Sequence, residues 1–253
     1  MTPQLSSIDR AAKILDALRL TSEIDIAGTA REIGAAPSTA HRVLKSMERA
    51  GLLTQRSRGR YAVGPLIGAC AGRFDRNALL VKAGRTPLRR LAADLGCTAH
   101  LAVFEDGFVS YLLKIEGPDA AEAPTLEGTG LEAYCSGLGK VLLAHLPEPD
   151  LEQYLGRGPL VQLTRNTITD PAELKAELGR VRRQGWALDD EEFQEGLVCR
   201  AAPVYWGGED AIAAVSVSRP AAGASAKRRT KDVQSLRAAA SQIVEGCWPR
   251  ARD

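Results

Sequence analysis

Residues 25–61, DIAGTAREIGAAPSTAHRVLKSMERAGLLTQRSRGRY, read as a helix, a tight turn, a second helix and a basic two-stranded wing. Asp25 is placed to cap the first helix and Gly34 to relax the turn. Pro37 suits the first position of the second helix, where its missing N–H costs nothing. Val43, Leu44 and Met47 fall on one face of that helix at three-to-four spacing. Ser38, Thr39, His41, Arg42, Lys45 and Arg49 fall elsewhere on its surface. A packed back with a front of hydroxyls and guanidinium is what a DNA recognition helix requires. Leu52-Leu53-Thr54 followed by Arg56, Arg58, Gly59, Arg60 and Tyr61 reads as a hairpin tipped with positive charge. A plain helical hairpin with a solvated face would resemble residues 25–50 alone. The wing tips the balance toward DNA, because Arg42 to Arg60 hold six basic residues and one acid, Glu48.

Charge is distributed to match. Residues 1–64 carry a net +4 and the remainder −2, a basic head on a mildly acidic body. At 253 residues two domains are expected, of about 65 and about 170 residues, each able to bury a core. The boundaries expected are 1–64 for the DNA-binding domain, 65–79 for a linker helix and 80–253 for the second domain. No apolar run approaches the ~20 residues that span a bilayer, and the first ten residues lack a basic, apolar leader. Five scattered cysteines (Cys70, Cys97, Cys135, Cys199, Cys247) with no C-x-x-C fit a cytoplasmic chain with reduced thiols.

The first helix is expected over Ser7–Leu20, with Ile8, Ala11, Ala12, Ile14, Leu15 and Leu18 inward. Its apolar surface is enough to pack the motif and leave a stripe for a second subunit. Helical spacing returns from Leu79 to Leu95, and Gly96 ends it. The pattern then turns to period two: residues 98–115 read as a hairpin with Glu105-Asp106-Gly107 as its turn. Gly117–Gly130 reads as loop. Helices are expected over 137–145 and 149–155, and another opening at Asp170-Pro171-Ala172-Glu173 as a capping box. Strands follow at 186–188, 199–205 and 211–218, then a last helix over 230–245. The second domain is therefore α+β with a mainly antiparallel sheet.

Taken together the motifs resemble the IclR family of bacterial transcription regulators over nearly the whole chain. The residues that carry the resemblance are SSIDRAAKIL, PSTAHRVL and GRYAVGP in the first domain. In the second they are HLAV, SGLGKVLLA, TITDP, GWALDDEEF and GLVCRAAPV. The resemblance implies a winged helix-turn-helix joined by a linker helix to a GAF-like effector-binding domain. It also implies a homodimer, often paired into a tetramer, reading a palindromic operator on double-stranded DNA. Such regulators control uptake or breakdown of small organic compounds, and a carboxylic or aromatic acid is the effector expected. The family's pocket falls on Gly137, Leu138, Asp189, Cys199, Ser216 and Ser218.

Physical reasoning reaches part of that pocket independently. Ser136-Gly137-Leu138-Gly139-Lys140 opens a helix, whose free N–H groups and positive pole suit a carboxylate. It is not a phosphate loop, because Tyr134 stands where the first glycine is required and Val141 follows the lysine. Ser216 and Ser218 share one face of a strand by alternation. Cys199 lacks a sequence-evident base among His41, His100 and His145, so a pocket-lining thiol is the reading preferred to a nucleophile. In Asp189-Asp190-Glu191-Glu192, Asp189 is expected to face the pocket and the others to be solvated or salt-bridged. Zinc lacks a ligand set, no cofactor is called for, and no enzyme chemistry is expected. Departures from the family pattern are Gly28-Thr29, weakening the first helix of the motif by roughly 1 kcal/mol, Tyr134-Cys135, which reshape the pocket, and Arg200, which points away from Cys199's face.

Overall fold

In a computed structural model, which describes residues 6–120, 124–206, 211–223 and 226–248, the chain divides at Asp75/Arg76 into two compact units. The missing-leader reading at Met1–Leu5 and the centre of the 117–130 loop lie outside the described residues. Each unit is described by itself.

Local side-chain chemistry sets the helix ends of the first unit. Ser6 and Asp9 form a reciprocal capping box at the start of α1 (Ser7–Leu18). After the two-residue strand β1 (Ile24–Asp25), the Asp25 carboxylate accepts from the Gly28 amide at 2.6 Å and opens α2 (Ile26–Ile33). The Thr29 hydroxyl, buried, donates to the Asp25 carbonyl at 2.7 Å, so the departure at Gly28-Thr29 is absorbed by the cap itself. Gly34 ends α2 in the left-handed region, φ 60°, and Pro37 opens α3 (Pro37–Arg49). The wing is β2 (Leu53–Ser57) and β3 (Arg60–Val63), joined through Arg58-Gly59 with a bulge near Gln55, and β3 also pairs with β1. Ile14, Leu18, Ile33, Ala40, Leu44, Met47, Leu53 and Tyr61 close one core. Two expectations for α1 fail: Ile8 is 79% exposed and Ala12 is exposed, because at 3.6 residues per turn both lie more than about 100° round the helix from buried Ile14. The expected linker helix over 65–79 is split: Pro65–Ala71 form a short helix, α4, none of whose side chains is buried, and residues 76–79 already belong to the next helix.

The second unit begins with α5 (Arg76–Leu95), whose inward line is Leu80, Gly84, Leu88, Leu91 and Leu95. The hairpin follows as β4 (Thr98–Glu105) and β5 (Phe108–Ile115), with Asp106 and Gly107 both at positive φ, the geometry that matches strand twist. Short β6 (Gly130–Glu132) precedes α6 (Gly137–Ala144), α7 (Glu148–Leu155) and α8 (Pro171–Gln184). Asp170 caps α8, but only half of the expected box forms: its carboxylate accepts from the Glu173 amide at 2.8 Å. Strands β7 (Ala187–Asp190), β8 (Leu197–Tyr205) and β9 (Ala211–Pro220) lead to α9 (Ala226–Cys247). β8 and β9 run longer than expected because their ladder continues to the Leu197–Pro220 pair.

These strands make one antiparallel sheet in the order β6-β5-β4-β9-β8-β7. One face carries α5 and α9 over Leu101, Val215, Val217, Leu236 and Ile243. The other carries α6 and α8 over Ala102, Ala201, Ala214, Leu142 and Leu178. Every residue of α6 is buried, which fixes its N-terminus against the sheet. The fold is α+β, as read.

Candidate functional site

On α3 the packed back is Ala40, Leu44 and Met47, with Val43 half-buried beside them. Ser38, His41, Arg42, Arg49, Arg56 and Arg58 stand exposed, Thr39 is half-buried, and Arg60 lies 4.0 Å from Glu23. Lys45 is tied inward. Its ammonium donates to Glu48 at 2.8 Å and to Gln55 at 3.0 Å, and it stands 5.8 Å from the Tyr61 ring centre. It therefore clips α3 to the wing, and a phosphate there would compete with Glu48. Nothing in the sequence pattern singled out Gln55.

In the second unit the sheet register assembles a polar face. Thr98 and Cys199 both pair with Ser218, His100 and Ala201 with Ser216, and Asp189 with Cys199. Cross-strand partners share a face, so side chains from β4, β7, β8 and β9 converge. With the start of α6 they line a cleft of about 320 Å³, its mouth included. Gly137, Leu138, Asp189, Cys199, Ser216 and Ser218 all border it. So do residues that sequence reasoning did not place there: His100, Tyr111, Thr125, Ser136, Phe193 and Leu197. His100 was legible in principle, since alternation along β4 puts it on the same face as Thr98 and Ala102. Thr125 and Phe193 come from loops and left no periodic signal.

The cleft's polar groups are mostly held. His100 Nε2 lies 2.9 Å from Thr125 Oγ1 and its Nδ1 lies 3.4 Å from Ser216 Oγ, with the ring edge-on to Tyr111. Burial lowers the His100 pKa to about 3, so the ring is neutral. Cys199 Sγ and Ser218 Oγ are 3.1 Å apart, and burial pushes the thiol far above its ordinary value. The Asp189 carboxyl beside it raises the thiol further, and a thiol kept protonated in this way does not serve as a nucleophile. Asp189 Oδ1 accepts from the Glu192 and Phe193 amides at 2.8 and 3.3 Å. Burial first, and then the Glu192 charge, raise the Asp189 carboxyl to about 7. At the start of α6, Ser136 Oγ accepts from the Gly139 amide at 3.0 Å. The amides of Gly137 and Leu138 make no hydrogen bond among the described residues. Donors at a helix's positive pole thus face a cleft with no Lys or Arg on its wall.

One expectation needs correction. Tyr134 and Cys135 do not shape the cleft: both are buried in the core under α7, and Tyr134 spends its hydroxyl on the Val161 carbonyl at 2.7 Å. Of the two outcomes expected for Glu192, solvated or salt-bridged, the structure gives the second: it is buried and pairs with buried Lys140 of α6. That pair holds the loop after β7, which Thr164 and Thr167 also grip by donating to the carbonyls of Glu191 and Glu192, each at 2.7 Å. Thr164 and Thr167, the latter opening the TITDP stretch, therefore clasp the loop that carries Phe193. Arg200 does point away from Cys199: with Arg219 it pairs with buried Asp232 of α9. Among the described residues no group of His, Cys, Asp and Glu has the geometry to hold a metal ion. No helix among them is long and apolar enough to cross a membrane.

A winged helix-turn-helix followed in the chain by a separate unit with a polar-lined cleft defines the class as a transcription regulator with a sensing domain. Comparison with known proteins gives the family. The model for the IclR helix-turn-helix domain matches residues 7–57, and that for the bacterial transcriptional regulator IclR C-terminal domain matches residues 76–245. The chain is 34% identical to the HTH-type transcriptional regulator BhcR of Paracoccus denitrificans over 97% of its own length and 88% of BhcR. It is 28% identical to the transcriptional repressor IclR of Escherichia coli, over 87% of this chain and 81% of that protein. A crystal structure of an IclR homolog from Microbacterium hydrocarbonoxydans, complexed with 4-hydroxybenzoate, superposes with a TM-score of 0.64 at 24% identity, covering 97% of this chain and all of that one. The chain belongs to the IclR family of transcriptional regulators and not to an enzyme family.

Proposed function

We propose that this protein is a cytoplasmic homodimeric repressor, able to pair into tetramers, that binds a palindromic operator of a catabolic or transport operon and answers to a small carboxylic or aromatic acid. The carrying observation is the cleft. Two unpartnered helix-pole amides, the hydroxyls of Ser216 and Ser218 and the Asp189 carboxyl meet there, with apolar walls from Leu138, Phe193 and Leu197. That set can seat a carboxylate on the Gly137 and Leu138 amides and leave hydroxyls for the rest of a small acid. The acid-bound Microbacterium homolog supports an aromatic member of this class on the same fold. Exposed Ile8 on α1 supports a subunit contact, being apolar surface that the unit's own core does not use. Ser38, Thr39, His41 and Arg42 read base edges or adjacent phosphates in this account. Arg49, Arg56, Arg58 and Arg60 hold the backbone, and Lys45 joins them by exchanging Glu48 for a phosphate.

A gel-shift titration against the DNA beside the protein's own gene, at two salt concentrations, tests the DNA half. Tight, salt-sensitive and sequence-selective binding is expected. Arg42→Ala should cost about 1–3 kcal/mol and relax specificity, whereas Arg58→Ala should weaken all sequences alike and lower the salt slope by about 1 per subunit. Equal affinity for random duplex, unchanged by Arg42→Ala, would sink the reading.

A further inference from the structure

The charge boundary does not coincide with the unit boundary. Residues 1–64 carry a net +4, but residues 65–95 carry +4 as well, and only residues 96–253 are acidic, at −6. The second basic block is concentrated on α5. Lys82, Arg85, Arg89 and Arg90 are all exposed on it, opposite the line of Leu80, Gly84, Leu88 and Leu91 that packs on the sheet. At 3.6 residues per turn the four fall within an arc of roughly 140°, over about 12 Å of helix. Ala78, Thr86 and Ala93, all small and exposed, lie along the same arc. None of the four cations is in an ion pair among the described residues. Several other cations of this unit are answered by carboxylates: Lys175 by Glu148 and Glu152, Arg180 by Glu177, Lys140 by Glu192, and Arg200 and Arg219 by Asp232.

We propose that this face of α5 is a second DNA contact, which grips the phosphate backbone beyond the recognition helix and wing. The inference rests on the DNA-binding reading above. Three guanidinium forks suit phosphate oxygens, and the small residues between them let a backbone approach closely. Twelve ångströms of helix spans about three phosphates of one strand. α5 starts at the residue after the DNA-binding unit, so DNA held by that unit stands at high effective concentration near it. The contact carries no sequence information. It adds affinity and salt dependence only.

The test measures the salt dependence of affinity, by fluorescence anisotropy, for the full chain on a long random-sequence duplex. Lys82→Gln, Arg85→Gln, Arg89→Gln and Arg90→Gln together should lower the slope by about 2 to 3 per subunit, while Arg85→Lys, Arg89→Lys and Arg90→Lys together keep it. Arg58→Gln serves as the wing control and should lower the slope by about 1 per subunit. An unchanged slope in the glutamine variant, with the wing control lowered, overturns the α5 contact alone. An unchanged slope with an altered mass by light scattering overturns it too and assigns the face to a second copy of the chain. No DNA affinity in the unaltered protein would overturn both readings.

Discussion

Gly139→Ala should cost the second unit about 4 kcal/mol or more, enough to lower its thermal midpoint by many degrees. Gly139 lies in the third residue of α6, where the helix passes directly over the backbone of Ala133. A Cβ there would sit inside the Ala133 carbonyl group, an overlap with backbone that no side-chain rotation relieves. α6 cannot retreat, since all its residues are buried between the sheet and α8. Gly137 is the internal control: a Cβ there meets Ala201 at 3.5 Å, an ordinary contact. Thermal unfolding followed by circular dichroism should thus show Gly137→Ala close to the parent and Gly139→Ala far below it. Equal midpoints would mean that the turn before α6 is not built as described.

Asp189→Asn should stabilise the protein increasingly as pH rises from about 4 to about 7, by roughly 4 kcal/mol at pH 8. The sign follows from the raised carboxyl. Unfolded, Asp189 ionises near its ordinary 3.8, whereas folded it does so at about 7. Between those values the unfolded state releases a proton that the native state keeps, so stability falls as pH rises and the loss is complete above about 7. Asparagine removes the titration and keeps an oxygen for the Glu192 and Phe193 amides. Melting curves of parent and variant should therefore converge near pH 4 and separate toward pH 8. The charged neighbours Glu192 and Lys140 lie on the same loop and on α6, paired with each other in both proteins. The same proton predicts that a carboxylate ligand binds more tightly as pH falls through 7, since an ionised Asp189 opposes a second negative charge.

The chain's punctuation was largely readable in advance. Asp25, Gly34 and Pro37 act where their chemistry requires, and Asp106-Gly107 turns the hairpin as the period-two pattern demanded. Six cleft residues could be named because α6's opening and the β9 serines have local signatures, and the resemblance supplied the others. What escaped depends on contacts far apart in the chain. Thr125 and Phe193 reach the cleft from loops, Thr125 through its bond to His100, and no periodic pattern marks either. The sequence offered Glu192 no partner, and Lys140, 52 residues away, buries with it. Tyr134 looked like a cleft residue by its neighbours in sequence, but the hydroxyl finds Val161 and the ring joins the core.

The central claim is that an acid in this cleft changes the hold on DNA. The most direct test measures DNA affinity with and without a panel of short-chain and aromatic carboxylic acids, for the parent and for Ser216→Ala with Ser218→Ala. The account predicts that at least one acid shifts the parent's affinity at least about tenfold, a coupling within the ordinary range for two-site regulators. The double variant should bind DNA as the parent does and ignore the acid. An acid response that survives in the variant, or none from any acid in the parent, would contradict it.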